Sequence, residues 1–162
     1  NVIPSPVTAN GIVYVASGHR GSALQAIRLA DAKGDITDSD AIVWEYDRDT
    51  PYVPSPLLYG DTLYFLKRNN PILSCFNAKA GQAYYGPQRL EGIAEIYASP
   101  VGASNRVYLV DRDGSTLVIK HGATFEVLAQ NVLDDSFDAS PAIVEQEIYL
   151  RGRKYLYCIS SN

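Results

Sequence analysis

A Ser-Pro pair occurs four times in this chain, and each time a tyrosine inside an apolar run follows eight residues after the proline. The pairs and their tyrosines are Ser5-Pro6 with Tyr14, Ser55-Pro56 with Tyr64, Ser99-Pro100 with Tyr108, and Ser140-Pro141 with Tyr149. The prolines are spaced 50, 44 and 41 residues apart. A period of about 40 to 50 residues built from short strands is typical of propeller blades.

Further apolar runs in each repeat predict β-hairpins. A second run follows each tyrosine after a polar tip such as Asp113-Gly114, whose residues suit the positive φ values of hairpin turns. A third run follows in the first three repeats but not in the fourth. We call the strands A (at Ser-Pro), B (at the tyrosine), C and D. The sequence thus predicts an all-β propeller of four-stranded antiparallel blades, with three and three-quarter blades at approximately 3–49, 50–93, 94–133 and 134–162.

The strands predict burial on both faces. Residues 12–16 and 106–110 are apolar on both sides rather than alternating, as expected where each blade is sandwiched between its neighbours. Residues 30–41 have no apolar stripe, which favours a long solvated loop over a helix. The net charge of -4 provides no basic field for nucleic acid, and no apolar run is long enough to span a membrane.

The two cysteines occupy equivalent positions, late in strand C of the second and fourth repeats. Cys75 and Cys158 should therefore lie two blades apart, well beyond the ~7 Å Cα separation that a disulfide allows. We expect both to be buried, inert thiols that fill small apolar spaces.

An incomplete ring is a further expectation, because the last blade has no strand D. Unpaired strand edges and an apolar blade face must be covered by something. The prediction is that the chain is the C-terminal part of a seven- or eight-bladed propeller, whose remaining blades come from the parent chain. A second copy that completes an eight-bladed ring is the alternative, and a compact four-bladed closure is a third.

The segment 75–85 resembles the repeat signature of PQQ-like β-propellers, A-x-D-x-x-T-G-x-x-x-W. Gly81 keeps its place, while Cys75 replaces the alanine and Tyr85 the tryptophan. In the first repeat, Ala26 and Trp44 are similar to the two ends of the same pattern. This family includes quinoprotein dehydrogenases and the lipoprotein scaffold of the outer-membrane β-barrel assembly machinery, so the resemblance implies a periplasmic or other extracytoplasmic location.

The resemblance also implies what the aromatic residues do. In the family, the aromatic residue that ends the signature docks one blade against the next, which is the role expected of Trp44 and Tyr85. The dehydrogenases hold their quinone between a tryptophan and a disulfide of adjacent cysteines, beside a calcium ion. This chain has no adjacent cysteines, and its single tryptophan lies in strand D, so neither PQQ nor calcium is expected as a cofactor.

Charge is sorted by loop. In a propeller, the B–C tips and the D–A connections emerge on one face, the tips toward the rim and the connections around the central channel. The tips are rich in lysine and arginine and the connections in acidic residues, which predicts a basic ring around an acidic centre. The candidate partner-binding residues of the rim are Arg20, Arg68, Arg112 and Arg153.

The residues just before each Ser-Pro should line the mouth of the channel, where propellers bind ligands. The candidate binding residues there are Tyr52, Tyr97, Phe137 and Asp138. They form no recognisable catalytic set. The sequence therefore predicts a non-catalytic binding or scaffold module that presents its loop face to a protein or polymer. The alternative is a quinoprotein-like dehydrogenase or another enzyme that acts at the channel mouth.

Overall fold

The computed structural model describes residues 2–160 as four antiparallel sheets, and these residues include no helix. Blade I consists of β1 (Val7–Ala9), β2 (Ile12–Ser17), β3 (Ala23–Arg28) and β4 (Ile42–Tyr46). Blade II consists of β5 (Leu57–Tyr59), β6 (Thr62–Leu66), β7 (Ile72–Asn77) and β8 (Ala83–Arg89). Blade III consists of β9 (Val101–Ala103), β10 (Arg106–Val110), β11 (Ser115–Lys120) and β12 (Val127–Val132). Blade IV consists of β13 (Ala142–Val144), β14 (Glu147–Arg151) and β15 (Leu156–Ser160).

Strands within each blade pair in sequence order, so the predicted all-β propeller architecture is confirmed. Residues 30–41 connect β3 to β4 without forming a helix, as expected. Among residues 2–160, nothing has the length and apolar character of a membrane-spanning helix.

The eight-residue spacing from proline to tyrosine follows from hairpin geometry. Strand A begins directly after the proline, runs for three residues and turns through two more, so that the tyrosine pairs with the first residue of strand A. In blade I this places Tyr14 opposite Val7, across a turn in which Asn10 and Gly11 have φ of 52° and 76°. Two successive positive φ values match the twist of the paired strands, which explains the Asn-Gly sequence.

The core consists of apolar layers between adjacent blades. Leu63 and Phe65 of blade II pack against Tyr14 and Leu24 of blade I. The opposite face of the same strand β6 packs against blade III, so all five residues of β6 are buried. Fully burying a large apolar side chain contributes about 1.5–3 kcal/mol, so these layers hold successive blades together.

A line of hydrogen bonds joins the Ser-Pro pairs across the blades. The backbone N–H of Ser5 donates to Ser55 Oγ at 2.9 Å, Ser55 N–H donates to Ser99 Oγ at 2.9 Å, and Ser99 N–H donates to Ser140 Oγ at 2.9 Å. We call this series the serine ladder. Because each bond has the same direction and length, the repeated Ser-Pro motif fixes one blade against the next around the channel.

The two cysteines differ in exposure, and neither forms a disulfide. Cys75 is buried as predicted, and desolvation raises the pKa of its thiol to about 11. Cys158 is exposed, so the prediction of a second buried thiol is wrong for this chain. The physical reason is that Cys158 lies on the face of β15 that has no neighbouring blade among the described residues.

Candidate partner-binding face

The B–C tips and the D–A connections contact each other on one side of the molecule, which we call the loop face. Arg112 N–H donates to Glu95 O at 3.0 Å, and Arg153 N–H donates to Ser136 O at 2.9 Å. At the first junction, Arg68 N–H donates to Thr50 O at 2.9 Å. Each of these bonds ties the tip of one blade to the connection that leads into it, so rim and centre form a continuous surface.

An arginine cluster occupies the loop face between blades III and IV. Arg112 Nε lies 2.7 Å from Asp138 Oδ1, and Arg112 Nη1 lies 3.2 Å from Glu95 Oε2. The guanidinium carbon lies 4.3 Å from the ring centroid of Tyr97, within the range of a cation–π contact. The hydrogen bonds that Arg112 donates to Glu95 and Asp138 raise its pKa. The cluster brings together three predicted residues, Tyr97, Arg112 and Asp138.

The tip that carries Arg112 is shaped by a buried carboxylate. Asp111 accepts hydrogen bonds from the backbone N–H groups of Asp113 at 3.0 Å and Ser115 at 2.8 Å, and from Ala94 N–H at 2.8 Å. Its oxygens therefore organise the turn and attach it to the connection from blade II. No group of three or more His, Cys, Asp or Glu residues within 2–160 is placed to hold a metal ion.

Tyr52 lies at the junction of blades I and II and is stacked on His19, with ring centroids 4.8 Å apart and an interplanar angle of 24°. Nearby, Lys67 Nζ contacts Asp49 Oδ1 at 2.8 Å. This junction therefore repeats the pattern seen around Arg112, since in both a residue of a B–C tip contacts an aromatic or acidic residue of a D–A connection.

Phe137 does not line the channel mouth, which corrects the sequence prediction. Its side chain is 1% exposed and packs against Tyr157, with ring centroids 5.8 Å apart. The cause is alternation along the chain. Phe137 and Ile96 each stand three residues before the serine and point into the core, while Asp138 and Tyr97 stand two residues before it and reach the surface.

A second buried carboxylate holds the tip of blade IV. Asp135 accepts hydrogen bonds from Ser136 N–H at 2.8 Å, Lys154 N–H at 3.0 Å and Tyr155 N–H at 3.1 Å. Desolvation favours the protonated carboxyl, but these hydrogen bonds outweigh it and lower the pKa of Asp135. Gly152 makes this approach possible, because a Cβ at that position would lie 2.2 Å from Asp135 Oδ2.

The rim arginines fall into two groups. Arg112 is ion-paired, whereas Arg20, Arg68 and Arg153 are exposed and form no ion pair within residues 2–160. The predicted basic ring and acidic centre are therefore partly joined in exposed ion pairs, which contribute little to stability. Beyond those pairs, the loop face keeps arginines whose hydrogen-bond donors face solvent.

A shallow depression of about 440 Å³ lies beside the arginine cluster. Its lining includes Arg112, Asp138, Arg151, Ser136 and Arg153. Arg151 was not among the predicted binding residues. Its position on β14 next to buried Leu150 marks it by alternation as an outward residue, and the sequence Arg-Gly-Arg marks a cationic tip. The depression can accommodate groups that accept hydrogen bonds from two neighbouring guanidinium side chains.

A polar cluster at the interface of blades II and III has a different character. Tyr64 Oη lies 2.9 Å from His121 Nδ1 and accepts a hydrogen bond from Gly122 N–H at 2.9 Å. Desolvation lowers the pKa of His121 and raises that of Tyr64, as it does for neighbouring Cys75. A thiol with a raised pKa stays protonated and is a poor nucleophile. The hydrogen bonds of Tyr64 to His121 and Gly122 join blade II to blade III.

The predicted docking aromatics do join adjacent blades. Trp44 Nε1–H donates to Ala78 O of blade II at 2.8 Å, and Tyr85 of blade II contacts Phe125 of blade III, with ring centroids 5.6 Å apart.

No protein-family model matches this sequence, and no curated protein is a significant match. Solved structures do resemble it. The computationally designed Ika4 protein aligns with 99% of this chain and 91% of its own, with 12% identity and a TM-score of 0.71. The glutaminyl cyclase of Myxococcus xanthus aligns over 93% of this chain and 61% of its own, with 14% identity and a TM-score of 0.55.

A europium-containing methanol dehydrogenase aligns over 78% of this chain and 24% of its own, with 12% identity and a TM-score of 0.55. This chain thus spans nearly all of the designed protein but less than two thirds of the cyclase and about a quarter of the dehydrogenase. At such identities the likeness concerns the fold alone. The chain is similar to these structures as an all-β propeller.

Proposed function

We propose that this chain is a non-catalytic binding module whose loop face engages a protein or polymer partner that carries anionic groups. The observation behind the proposal is the arrangement at blades III and IV, where Arg112 is held by Asp138, Glu95 and Tyr97 next to the solvent-facing Arg151 and Arg153.

The division of labour among the arginines supports this proposal. Arg112 is fixed by two carboxylates and an aromatic ring, so it acts as a positioning residue that shapes the depression. Arg151 and Arg153 flank Gly152 at the tip of blade IV, which the buried Asp135 anchors. A guanidinium group donates two parallel hydrogen bonds to a carboxylate or phosphate, which suits both arginines to anionic groups.

The proposed setting is extracytoplasmic. It is supported by the resemblance of residues 75–85 to the PQQ-like repeat, whose family contains many exported proteins.

The experiment uses two anionic probes, polyglutamate and polygalacturonate, and titrates the purified chain with each by isothermal calorimetry at low ionic strength. We expect binding that weakens as salt is added, since exposed charges are screened beyond about 10 Å at 0.1 M. The double substitution Arg151→Gln and Arg153→Gln should weaken binding at least tenfold.

The matched control is Arg106→Gln, because Arg106 is an exposed arginine at the A–B turn of blade III, on the opposite side from the loop face. It should leave the affinity unchanged. Absence of binding to both probes, or equal loss in the control, would contradict the proposal. Turnover of a substrate that disappears on Asp138→Asn would replace it with an enzymatic function.

A further inference from the structure

The serine ladder is open at both ends. Ser140 Oγ accepts from Ser99 N–H, but Ser140 N–H makes no hydrogen bond within residues 2–160. At the other end, Ser5 N–H donates to Ser55 Oγ, while Ser5 Oγ accepts no hydrogen bond from these residues. One free donor and one free acceptor of the repeated bond therefore remain, on blades IV and I respectively.

The face of blade I that points away from blade II has an apolar part that is only half-covered, beside Gln25 and Glu45, which are hydrogen-bonded to each other. It carries Val13, Val15 and Ile27. By their pairing next to the strand-B tyrosine, the equivalent residues of blade II are Leu63, Phe65 and Phe76, which are 0%, 0% and 4% exposed. Those residues pack against the preceding blade. Blade I thus has the residues for such a contact without the partner.

The face of blade IV that points away from blade III is similar. Tyr149, Leu156 and Cys158 share this face of β14 and β15 with Arg151, and Leu156 is 65% exposed. The residue of blade II equivalent to Leu156 is Leu73 and that equivalent to Cys158 is Cys75, and both are fully buried against blade III. Blade IV thus presents a leucine and a cysteine at the positions that blade II uses to hold its successor, with Arg151 in the place of buried Leu66 at the loop-face edge.

We propose that a second copy of this chain joins the two open faces, with blade IV of each copy packed on blade I of the other. Ser140 N–H of each copy then donates to Ser5 Oγ of its partner, which continues the ladder through the new junction. Each copy carries one open face on blade I and one on blade IV. Two identical junctions, related by a twofold axis, therefore form and close the assembly at eight blades.

The junction continues an interface that the molecule already makes three times. Blade IV has three strands among the described residues, so the new contact involves strands A, B and C of that blade. Arg151 pairs with Leu156 and therefore belongs to both surfaces, while Ser5, Ser140 and Cys158 lie outside the loop-face depression. The variants Leu156→Asp and Ser5→Ala keep both arginines, so they test this inference separately from the proposed function.

Light scattering coupled to size-exclusion chromatography tests the proposal on the chain as it is. The chain has a mass of 17.7 kDa, and we expect a dimer of twice that mass at micromolar concentration. A species that stays at 17.7 kDa up to 100-fold higher concentration would overturn the proposal. The open faces would then be those that blades of a longer polypeptide cover. A polymer larger than a dimer would also overturn it, because the ring would then not close.

Leu156→Asp should shift the chain to monomer. The side chain is 65% exposed in the isolated arc, so the substitution should leave its folding intact, which circular dichroism can verify. Leu128→Asp is the matched control, because Leu128 is an exposed leucine of β12, away from both open faces. It should remain dimeric. Equal behaviour of the two variants would contradict the assigned interface.

Ser5→Ala tests the ladder itself, since it removes the free acceptor and no hydrogen bond within the described chain. Two lost hydrogen bonds per dimer should weaken association about 30-fold, at roughly fivefold for each bond. A thiol reagent provides a further readout, because Cys158 should be protected in the dimer and react in Leu156→Asp. Cys158 that reacts equally fast in a dimer and in that variant would place the interface elsewhere.

Discussion

The junction between blades I and II and the junction between blades III and IV are built on the same register but are filled differently. Trp44 pairs with Ala26, and Ala129 occupies the equivalent place opposite Val118. Trp44 lies against Gly81 and Phe76 of blade II and donates to Ala78 O. At the other junction, an apolar cleft of about 460 Å³ lies open between Val118 and Ile159.

This difference separates two ways of holding a blade. The first junction is closed from its outer edge by an aromatic side chain. The second is closed from the loop face, where buried Phe137 packs with Val110 and Leu150 and where Asp135 anchors the tip of blade IV. The outer aromatic is therefore a source of stability that one junction uses and another lacks.

The largest expected effect is that of Trp44→Ala. Loss of the indole leaves an empty space between blades I and II and removes the hydrogen bond to Ala78 O, so the free energy of unfolding should fall by about 3 kcal/mol. Trp44 is the only tryptophan, so its fluorescence is lost in the variant. Urea unfolding followed by circular dichroism therefore measures the free energy of unfolding. The control Val132→Ala, at a side chain 68% exposed, should change stability by less than about 0.5 kcal/mol.

Gly81→Ala approaches the same contact from blade II. Gly81 has φ of 69°, and a Cβ would lie 2.6 Å from Trp44 Cγ. We expect a loss of about 2 kcal/mol from backbone strain together with displacement of the indole. In a Trp44→Ala background, the steric part of this loss should disappear. A double-mutant cycle with no coupling between the two sites would contradict the assigned contact.

Ala129→Trp should make the second junction resemble the first. An aromatic side chain in the cleft is expected to stabilise the fold by about 1 kcal/mol, as cavity-filling substitutions commonly do. Ala123→Trp, in the exposed loop before β12, is the control and should give no gain. If both variants melt at the temperature of the original chain, the cleft does not limit stability.

The smallest expected effect is a pH dependence of the second junction. The pKa of Asp135 is lowered in the folded state, so its contribution is present above the ordinary value of 3.8 and is lost as the pH falls below that value. The melting temperatures of the original chain and of Asp135→Asn should therefore differ at pH 7 and converge toward pH 3. A constant difference across this range would show that Asp135 does not act through its charge.

Sequence reasoning was sufficient for the fold because the repeat fixes both strand number and register. The Ser-Pro and tyrosine spacing located every A–B hairpin, and the signature around Gly81 identified Trp44 and Tyr85 as docking residues. It failed at Cys158, because burial depends on the neighbouring blade as well as on the position within a blade.

The candidate site was less predictable. Tyr97, Arg112 and Asp138 were identified separately, as mouth and rim residues, but sequence alone could not show that they meet in one cluster. That contact depends on the path of two D–A connections, which have different lengths in the three junctions. The inward direction of Phe137 follows from alternation with Asp138. Because Phe137 is aromatic, it was interpreted as a binding residue instead of a core residue.

The serine ladder also bears on how such a chain can evolve. Ser55 and Ser99 each donate one bond of the ladder and accept another in the same direction, so duplication of an internal blade adds both halves of a new bond at once. Deletion of an internal blade likewise brings a matching donor and acceptor together. Changes in the number of internal blades therefore create no additional unpaired polar group along the ladder, and a propeller of this kind can vary in size while its serine ladder stays chemically the same.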